Sequence, residues 1–283
     1  MAKLLVCVDG SSYADNICAN AAWAAQRMSA SVELLHVLRR HSDYQAPADH
    51  TGAIGLDTRS ELLEELTKVD EERGRLDQKK GKIILEHGAK SLRMFGVGVV
   101  NPIHRRGSLV DTILELEQSV DMIFLGKRGE HADLNSTFLG SNLEKVARAV
   151  HKPLFVVSSV VRPIKKFLIA YDGKDSVLKA IEFISQSPLL KGLECHLLAV
   201  ESVSGQTDMA AATAKLQGGG FQVVMKTEQS ATPDPIITSY VEQNGIDLLV
   251  TGAYSHSRMR SILLGSTTAS LIKSCKVPLL LFR

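Results

Sequence analysis

The chain repeats itself, and that constrains its fold more than any single motif does. Lys3-Leu-Leu-Val-Cys-Val-Asp9-Gly10 returns 163 residues later as Lys166-Phe-Leu-Ile-Ala-Tyr-Asp172-Gly173, and Leu35-His36-Val37 returns at the same spacing as Leu198-Ala199-Val200. Asp121-Met-Ile-Phe-Leu-Gly126 comes back after 126 residues as Asp247-Leu-Leu-Val-Thr-Gly252. Leu139-Gly140-Ser141 and Lys152-Pro153-Leu154 come back after 125, as Leu264-Gly265-Ser266 and Val277-Pro278-Leu279. The offset shrinks along the chain, so the first copy carries an insertion in its middle or the second a deletion. The 283 residues read as a tandem duplication with a boundary near Ser158 to Pro163. Residues 1–160 form one domain and 161–283 the next, with the extra length of the first around 58–95.

Each copy alternates two kinds of segment. Leu4–Val8, Val32–Leu38, Val97–Val100, Met122–Leu125 and Leu154–Val157 are short apolar runs, the pattern of strands covered on both faces. Between them lie helical stripes: Ile17, Ala21, Ala24, Ala25 and Met28, opened by a capping pair of Ser12 and Asp15; Val110, Ile113 and Leu114; Leu143, Val146, Ala147 and Val150. The second copy repeats the last stripe as Thr268, Leu271, Ile272 and Cys275. In the extra segment Leu62, Leu66, Val69 and Leu76 keep helical spacing amid dense charge. Gly74 and Gly81 interrupt it, so a helix lengthened or broken there is expected, mainly as a solvated surface helix and otherwise as a partner-binding one. Strands separated by helices imply parallel pairing. The fold class is α/β: two tandem doubly wound Rossmann-like domains, each with a mainly parallel five-stranded sheet.

Several functions are excluded early. Lys plus Arg at 33 against Asp plus Glu at 31 leaves a formal charge of +2, too balanced for a surface that tracks nucleic-acid phosphates. Aromatics at 5% are too few for base stacking as the main mode of recognition. No apolar run approaches the roughly 20 residues of a membrane span. Leu4–Val8 is too short for a signal peptide, and Asp9 ends it. Cys7, Cys18, Cys195 and Cys275 lack CxxC spacing and read as buried thiols in a reducing compartment, which points to the cytoplasm. The nine histidines are scattered, so no metal site is expected. There is no Walker-type loop and no nucleophile elbow. Gly96-Val-Gly98-Val-Val-Asn101 is one glycine short of a dinucleotide fingerprint and reads as a turn before a strand.

In an open parallel sheet, ligands bind at the carboxyl ends of strands where the strand order reverses. Two features converge there in each copy. The first strand ends in Asp9-Gly10-Ser11, or Asp172-Gly173-Lys174. The fourth runs into a loop of small residues: Gly126-Lys-Arg-Gly129, then ten residues, then Gly140-Ser141; or Gly252-Ala-Tyr-Ser255, then nine residues, then Gly265-Ser266-Thr267. Phosphates need backbone N–H groups at close range, and glycine leaves room for that approach. A Gly-Ser pair at a helix start supplies N–H donors, a hydroxyl and the positive end of the helix dipole. Lys127 and Arg128, or His256 and Arg258, add positive charge. The plainer reading is a pair of strand-to-helix turns with caps at Ser141 and Ser266. The duplicated arrangement beside a strand-end aspartate favours anion binding.

These residues resemble the universal stress protein family, whose nucleotide motif is Gly-x2-Gly-x9-Gly-(Ser/Thr). The likeness extends over nearly the whole chain as two such domains in tandem. It implies ATP or another adenine nucleotide as ligand, alone or with Mg2+. It also implies Asp9 or Asp172 near the ribose or base, and backbone groups at Val37 or Val200 against adenine. Each copy departs from the pattern. The first keeps Gly126, Gly129 and Gly140 but has one residue too many before Gly140; the second keeps the spacing but places Ser255 at the second glycine. The second copy is the better ATP site.

Three functions follow. The first is a stress-response or regulatory protein that binds nucleotide with little or no turnover, since neither a general base nor an arginine finger is evident. The second is an interaction or assembly module whose sites have decayed, with the last strands Leu154–Val157 and Leu279–Phe282 packing as a pseudo-dimer, further homodimers being open, and protein partners or a hydrophobic small molecule as ligands. An adenylating enzyme is least favoured, because no Ser-Gly-Gly-x-Asp-Ser loop or His-Ile-Gly-His element occurs.

Overall fold

The computed structural model describes residues 1–38, 56–129, 141–201, 207–253 and 265–283, with side chains from residue 65 in the long second helix and from 142 in the fourth. In the first half, β1 (Lys3–Cys7), α1 (Ala14–Met28), β2 (Ser31–Leu38), α2 (Leu56–Met94), β3 (Val100–Arg106), α3 (Leu109–Glu117), β4 (Met122–Gly126), α4 (Ser141–Ala149) and β5 (Leu154–Val157) follow one another. The second half answers with β6 (Lys166–Tyr171), α5 (Asp175–Gln186), β7 (Glu194–Glu201), α6 (Ala210–Gly218), β8 (Val223–Gln229), α7 (Pro233–Gln243), β9 (Leu248–Gly252), α8 (Ser266–Ser274) and β10 (Leu279–Phe282).

The strands form one ten-stranded sheet in the order β3-β2-β1-β4-β5-β10-β9-β6-β7-β8. Within each half every pairing is parallel, as the alternation with helices requires. The halves meet through one antiparallel pair, Leu154 to Val156 of β5 against Leu281 to Leu279 of β10. Two sheets of five strands therefore merge at their last strands.

Side chains alternate along each strand, so two cores result, one on each face. Leu4, Val6, Phe155 and Phe167 lie under α1, α2, α5 and α6. Leu5, Cys7, Leu154 and Leu168 lie under α3, α4, α7 and α8. Each core runs without a break from one half into the other. The stripes Leu143, Val146, Ala147, Val150 and Thr268, Leu271, Ile272, Cys275 are buried as their spacing requires, and the four cysteines are buried thiols. Burial pushes Cys7, Cys18 and Cys195 up to about 12. Among the described residues no helix is long and apolar enough to cross a membrane, and no group of His, Cys, Asp and Glu could hold a metal ion.

Three local expectations are corrected, and a fourth is decided between its alternatives in favour of the lengthened helix. The strand expected at Val97–Val100 is β3, Val100–Arg106, so it begins where that run ends. β3 is an outer edge strand whose residues are mostly exposed, so it lacks the apolar run of the central strands, and Pro102 sits where an edge tolerates it. Val97 is buried after a turn through Gly96, whose φ of +86° suits glycine. The start of α1 is not capped by Ser12: its N-cap is Tyr13, without a side-chain cap, and Asp15 binds His87 Nε2 at 2.7 Å. Leu114 is exposed, and Thr112 and Glu117 join Ile113 on the buried face of α3. Finally, α2 runs unbroken for 39 residues. Its glycines do not interrupt it, and at Gly81 and Gly88 they let it lie close to the sheet. A Cβ on Gly81 would meet the rings of His104 and His36, and one on Gly88 would come within 3.1 Å of Leu34 Cδ2.

Candidate functional site

The strand order reverses between β1 and β4 in the first half and between β6 and β9 in the second. A crevice therefore opens at the carboxyl ends of each pair, where Asp9 and Gly126, or Asp172 and Gly252, come to lie side by side. Val37 and Val200 are half-buried near the carboxyl ends of β2 and β7. Gly140, Ser255, His256 and Arg258 lie outside the described residues, and Ser141 opens α4.

In the first crevice Asp9 bends the chain from strand to helix, its Oδ1 accepting the Ser11 N–H at 3.0 Å while Ser11 Oγ accepts from the Tyr13 N–H at 3.3 Å. The loop after β4 folds back onto that turn. A Cβ on Gly129 would stand 2.9 Å from Asp9 Oδ2, and one on Gly126 3.3 Å from both Tyr13 Cβ and Ile17 Cδ1. The glycines are thus needed for close packing, and Asp9 and Gly129 are brought together. Lys127 does not add its charge to this crevice. Its backbone N–H bonds to Val157 at 3.0 Å, and its ammonium donates to the carbonyl of Cys275 at the end of α8 in the other half. Burial, helped by nearby Arg128, holds that ammonium down to about 8 despite an opposing effect from Cys275. The expectation for Lys127 is corrected: the cation closes a helix end, where carbonyls gather negative potential.

The second crevice is built differently. Asp172 Oδ1 accepts the Lys174 N–H at 3.1 Å, and its Oδ2 pairs with Lys174 Nζ at 3.2 Å. Gly173 between them has φ of +70°. Glu201, buried at the end of β7, accepts the Thr207 N–H at 2.6 Å, and Tyr171 donates to the Asp208 carbonyl at 3.2 Å. Burial first, then the carboxylates of Asp208 and Asp172, raise the Tyr171 phenol above its ordinary value. The helix start is tied to the strand end twice: Gly265 N–H donates to Ala253 at 3.3 Å, and Thr268 Oγ1 donates to Gly252 at 2.8 Å. Gly252, Gly265, Ser266 and Thr267 therefore form one small-residue wall. Ser266 is exposed and is the first residue of α8, with Gly265 as N-cap, so Ser266 is not the cap itself. The first-turn N–H groups of such a helix have no partner within it.

Ser176 was missed at the level of sequence. It stands in the first turn of α5, 163 residues after Tyr13, in a position that no motif marks. Its Oγ is buried without a hydrogen-bond partner among the described residues, and it occupies the space a Gly252 Cβ would need. An unpartnered buried hydroxyl costs about 1–3 kcal/mol. Tyr13 fills the corresponding place in the first half. A separate groove of about 710 Å3 between α2 and β3, floored by Leu85, Ala89 and Pro102 and rimmed by Lys82, Arg93 and Arg106, contains none of the candidate residues.

Comparison with known proteins gives the same architecture a family. The model of the universal stress protein family matches residues 1–158 and again 163–283. The chain is 33% identical over 289 residues to the universal stress protein Slr1230 of Synechocystis sp. (strain ATCC 27184 / PCC 6803 / Kazusa), with both chains covered in full. A universal stress protein from Archaeoglobus fulgidus DSM 4304 superposes with a TM-score of 0.72 at 19% identity, over 99% of this chain and 96% of that one. A functionally unknown protein, PA1789, from Pseudomonas aeruginosa PAO1 does so at 0.64 and 16%, over 100% and 92%. With two family units end to end and a full-length relative at this identity, the chain belongs to the universal stress protein family.

Proposed function

We propose that this chain is a stress-response regulator that holds ATP or another adenine nucleotide in the crevice of its second half, with little or no turnover. On this reading residues 1–160 and 161–283 are two domains of one origin, and only the later one keeps a working site. The carrying observation is the unpartnered Ser176 hydroxyl, buried against Gly252 beside the start of α8. A polar ligand there gives that oxygen a partner, and the α8 N-terminus supplies N–H donors for phosphate. Asp172 takes the ribose or base side, next to backbone groups at Val200. Gly252, Gly265, Ser266 and Thr267 take the phosphates, joined by Ser255, His256 and Arg258 from the intervening loop. Mg2+ would accompany the nucleotide, held mainly by phosphate and water.

Equilibrium dialysis of the full chain with millimolar ATP tests this. Binding is expected, Gly265→Val abolishes it with the melting temperature nearly unchanged, and Ser176→Ala weakens it. Retained affinity in Gly265→Val removes the assignment.

A second reading, an assembly module with degenerate sites, is favoured by the first crevice. There Gly129 packs against the Asp9 carboxylate and Lys127 is committed to the other half. If Asp9, Val37, Gly126, Gly129, Gly140 and Ser141 hold no nucleotide, the first half serves as framework. A single nucleotide per chain supports this division of labour, and two per chain would contradict it.

A further inference from the structure

The helix α2 is longer than the sheet it covers. From Gly81 onward it packs on the body, with Leu85, Ala89 and Leu92 buried. Between Glu65 and Lys80 every residue is exposed except Gly74 and Asp77, which are half-buried. Sixteen residues of helix rise about 24 Å, and an isolated segment of that length is marginal in water. Yet this one carries an apolar stripe. Val69, Leu76 and Ile83 recur every seven residues and are 42%, 66% and 56% exposed, with Leu66 beside them at 51%. Gly74, Gly81 and Gly88 recur at the same period two residues out of step, and they face Arg106, the His104–His36 pair and Leu34. Two residues turn a helix by about 200°, so the apolar stripe lies on the face opposite the glycines and points away from the chain's own sheet. Sustained seven-residue spacing of this kind suits a helix–helix seam.

Charge says what covers the stripe. From 65 to 72 the segment carries Glu65, Asp70, Glu71 and Glu72 against Lys68. From 73 to 80 it carries Arg73, Arg75, Lys79 and Lys80 against Asp77. The helix is thus acidic, then basic, about a midpoint between residues 72 and 73. A second identical helix laid antiparallel across that midpoint sets each acidic block against a basic one, whereas a parallel copy sets like against like.

We propose that the outward face of α2 from Glu65 to Ile83 is a self-recognition surface, pairing antiparallel with the same segment of a second copy of this chain through the Leu66, Val69, Leu76 and Ile83 stripe. The pairing is isologous, as a two-fold dimer requires. It stands apart from the proposed nucleotide site, since none of its residues is among the candidate residues of either crevice.

Sedimentation equilibrium on the full chain tests it. Wild type shifts from one chain to two with rising concentration. Val69→Glu with Leu76→Glu weakens this by roughly a hundredfold or more, because two seam side chains are replaced by like charges. Its melting temperature at dilute, monomeric concentration is unchanged, since both sites face away from the body. Two further variants separate this seam from any other contact. Glu65→Lys with Asp70→Lys does not self-associate, Arg75→Glu with Lys79→Glu does not either, and an equimolar mixture of the two forms a heterodimer. A wild type that stays monomeric overturns the proposal, as does a dimer that survives the Val69/Leu76 change. Failure of the charge-reversed pair to recombine overturns the antiparallel arrangement.

Discussion

Equivalent flanks of the two halves are covered very differently. Over β2 and β3 lies α2, 39 residues long; the corresponding α6, beside β8, has nine. Both halves nevertheless keep the same order of five parallel strands and the same buried residue types at their centres. Nine residues, with Ala212 and Leu216 turned inward, suffice for a helix in this position. The surplus in α2 is therefore not demanded by the fold, and its buried C-terminal part and exposed N-terminal part answer to different pressures. The two crevices diverge in the same manner: Tyr13 seals in the first half the place that the Ser176 hydroxyl leaves polar in the second.

A substitution at the join strikes what both halves share and is expected to cost most. Phe155 sits on β5, the strand at the join, fully buried, with its ring 4.9 Å from that of Phe124 and 6.4 Å from Trp23. Phe155→Ala is expected to cost about 3–5 kcal/mol, measured by urea denaturation monitored by circular dichroism. A loss below about 1 kcal/mol would mean that the join relaxes and that the halves are not one sheet energetically.

Within α2 the contrast is expected to persist on a smaller scale. Leu92→Ala removes a fully buried side chain and should cost about 2–5 kcal/mol, while Leu76→Ala, 66% exposed, should stay within about 0.5 kcal/mol at monomeric concentration. Equal losses at the two positions would show that the exposed segment is covered by the chain itself.

Most of the architecture was legible because its signals are local or repeated. The stripes of α4 and α8 and the central strands are buried on the faces that their spacing indicates, and the duplication supplied each of them twice. What escaped depends on tertiary neighbours. β3 is an edge strand, so Asn101, His104, Arg105 and Arg106 carry no apolar pattern to announce it. Gly81 looks like an interruption until His36 and His104, their rings 5.6 Å apart, are seen to occupy the space beside it. The glycines and aspartates that mark the crevices in the sequence lie at the carboxyl ends of β1, β4, β6 and β9. The turn of Lys127 towards Cys275, 148 residues away, leaves no trace in the sequence around it. Ser176 was equally silent, because an unpartnered hydroxyl is a property of its surroundings.

Lys127 also gives the comparison a pH dependence, since Ala253 stands in the matching place of the second half. Its ammonium is held down to about 8 from an ordinary 10.5, chiefly by burial. Between those two values the unfolded chain binds more protons than the folded one, so stability rises with pH across that window. Below it, lysine is charged in both states and the contribution is flat. The stability of wild type minus that of Lys127→Met should therefore climb from about pH 8 to 10.5, by less than about 1.4 kcal/mol per pH unit for one group. Denaturant titrations at pH 7, 8, 9 and 10 read the slope directly, and a flat or falling difference would place the amine in water.

The smallest effect distinguishes the two parts of α2 by sign. Glycine inside a helix is about 0.5–1 kcal/mol less favourable than alanine, because it surrenders more backbone freedom. At Gly81 an added methyl would collide with the rings of His104 and His36, so that gain is overridden and Gly81→Ala is expected to destabilise. At Gly74 the nearest atom to a Cβ would be Arg106 Nη2 at 3.5 Å, an ordinary contact with the end of a flexible side chain. Gly74→Ala is therefore expected to stabilise by up to about 1 kcal/mol, read as a small rise in denaturation midpoint, because there the helix has left the sheet and only its own propensity decides. If Gly74→Ala destabilises instead, the close packing that glycine permits at 81 and 88 extends a turn or two further, and the exposed part of α2 begins nearer its N-terminus.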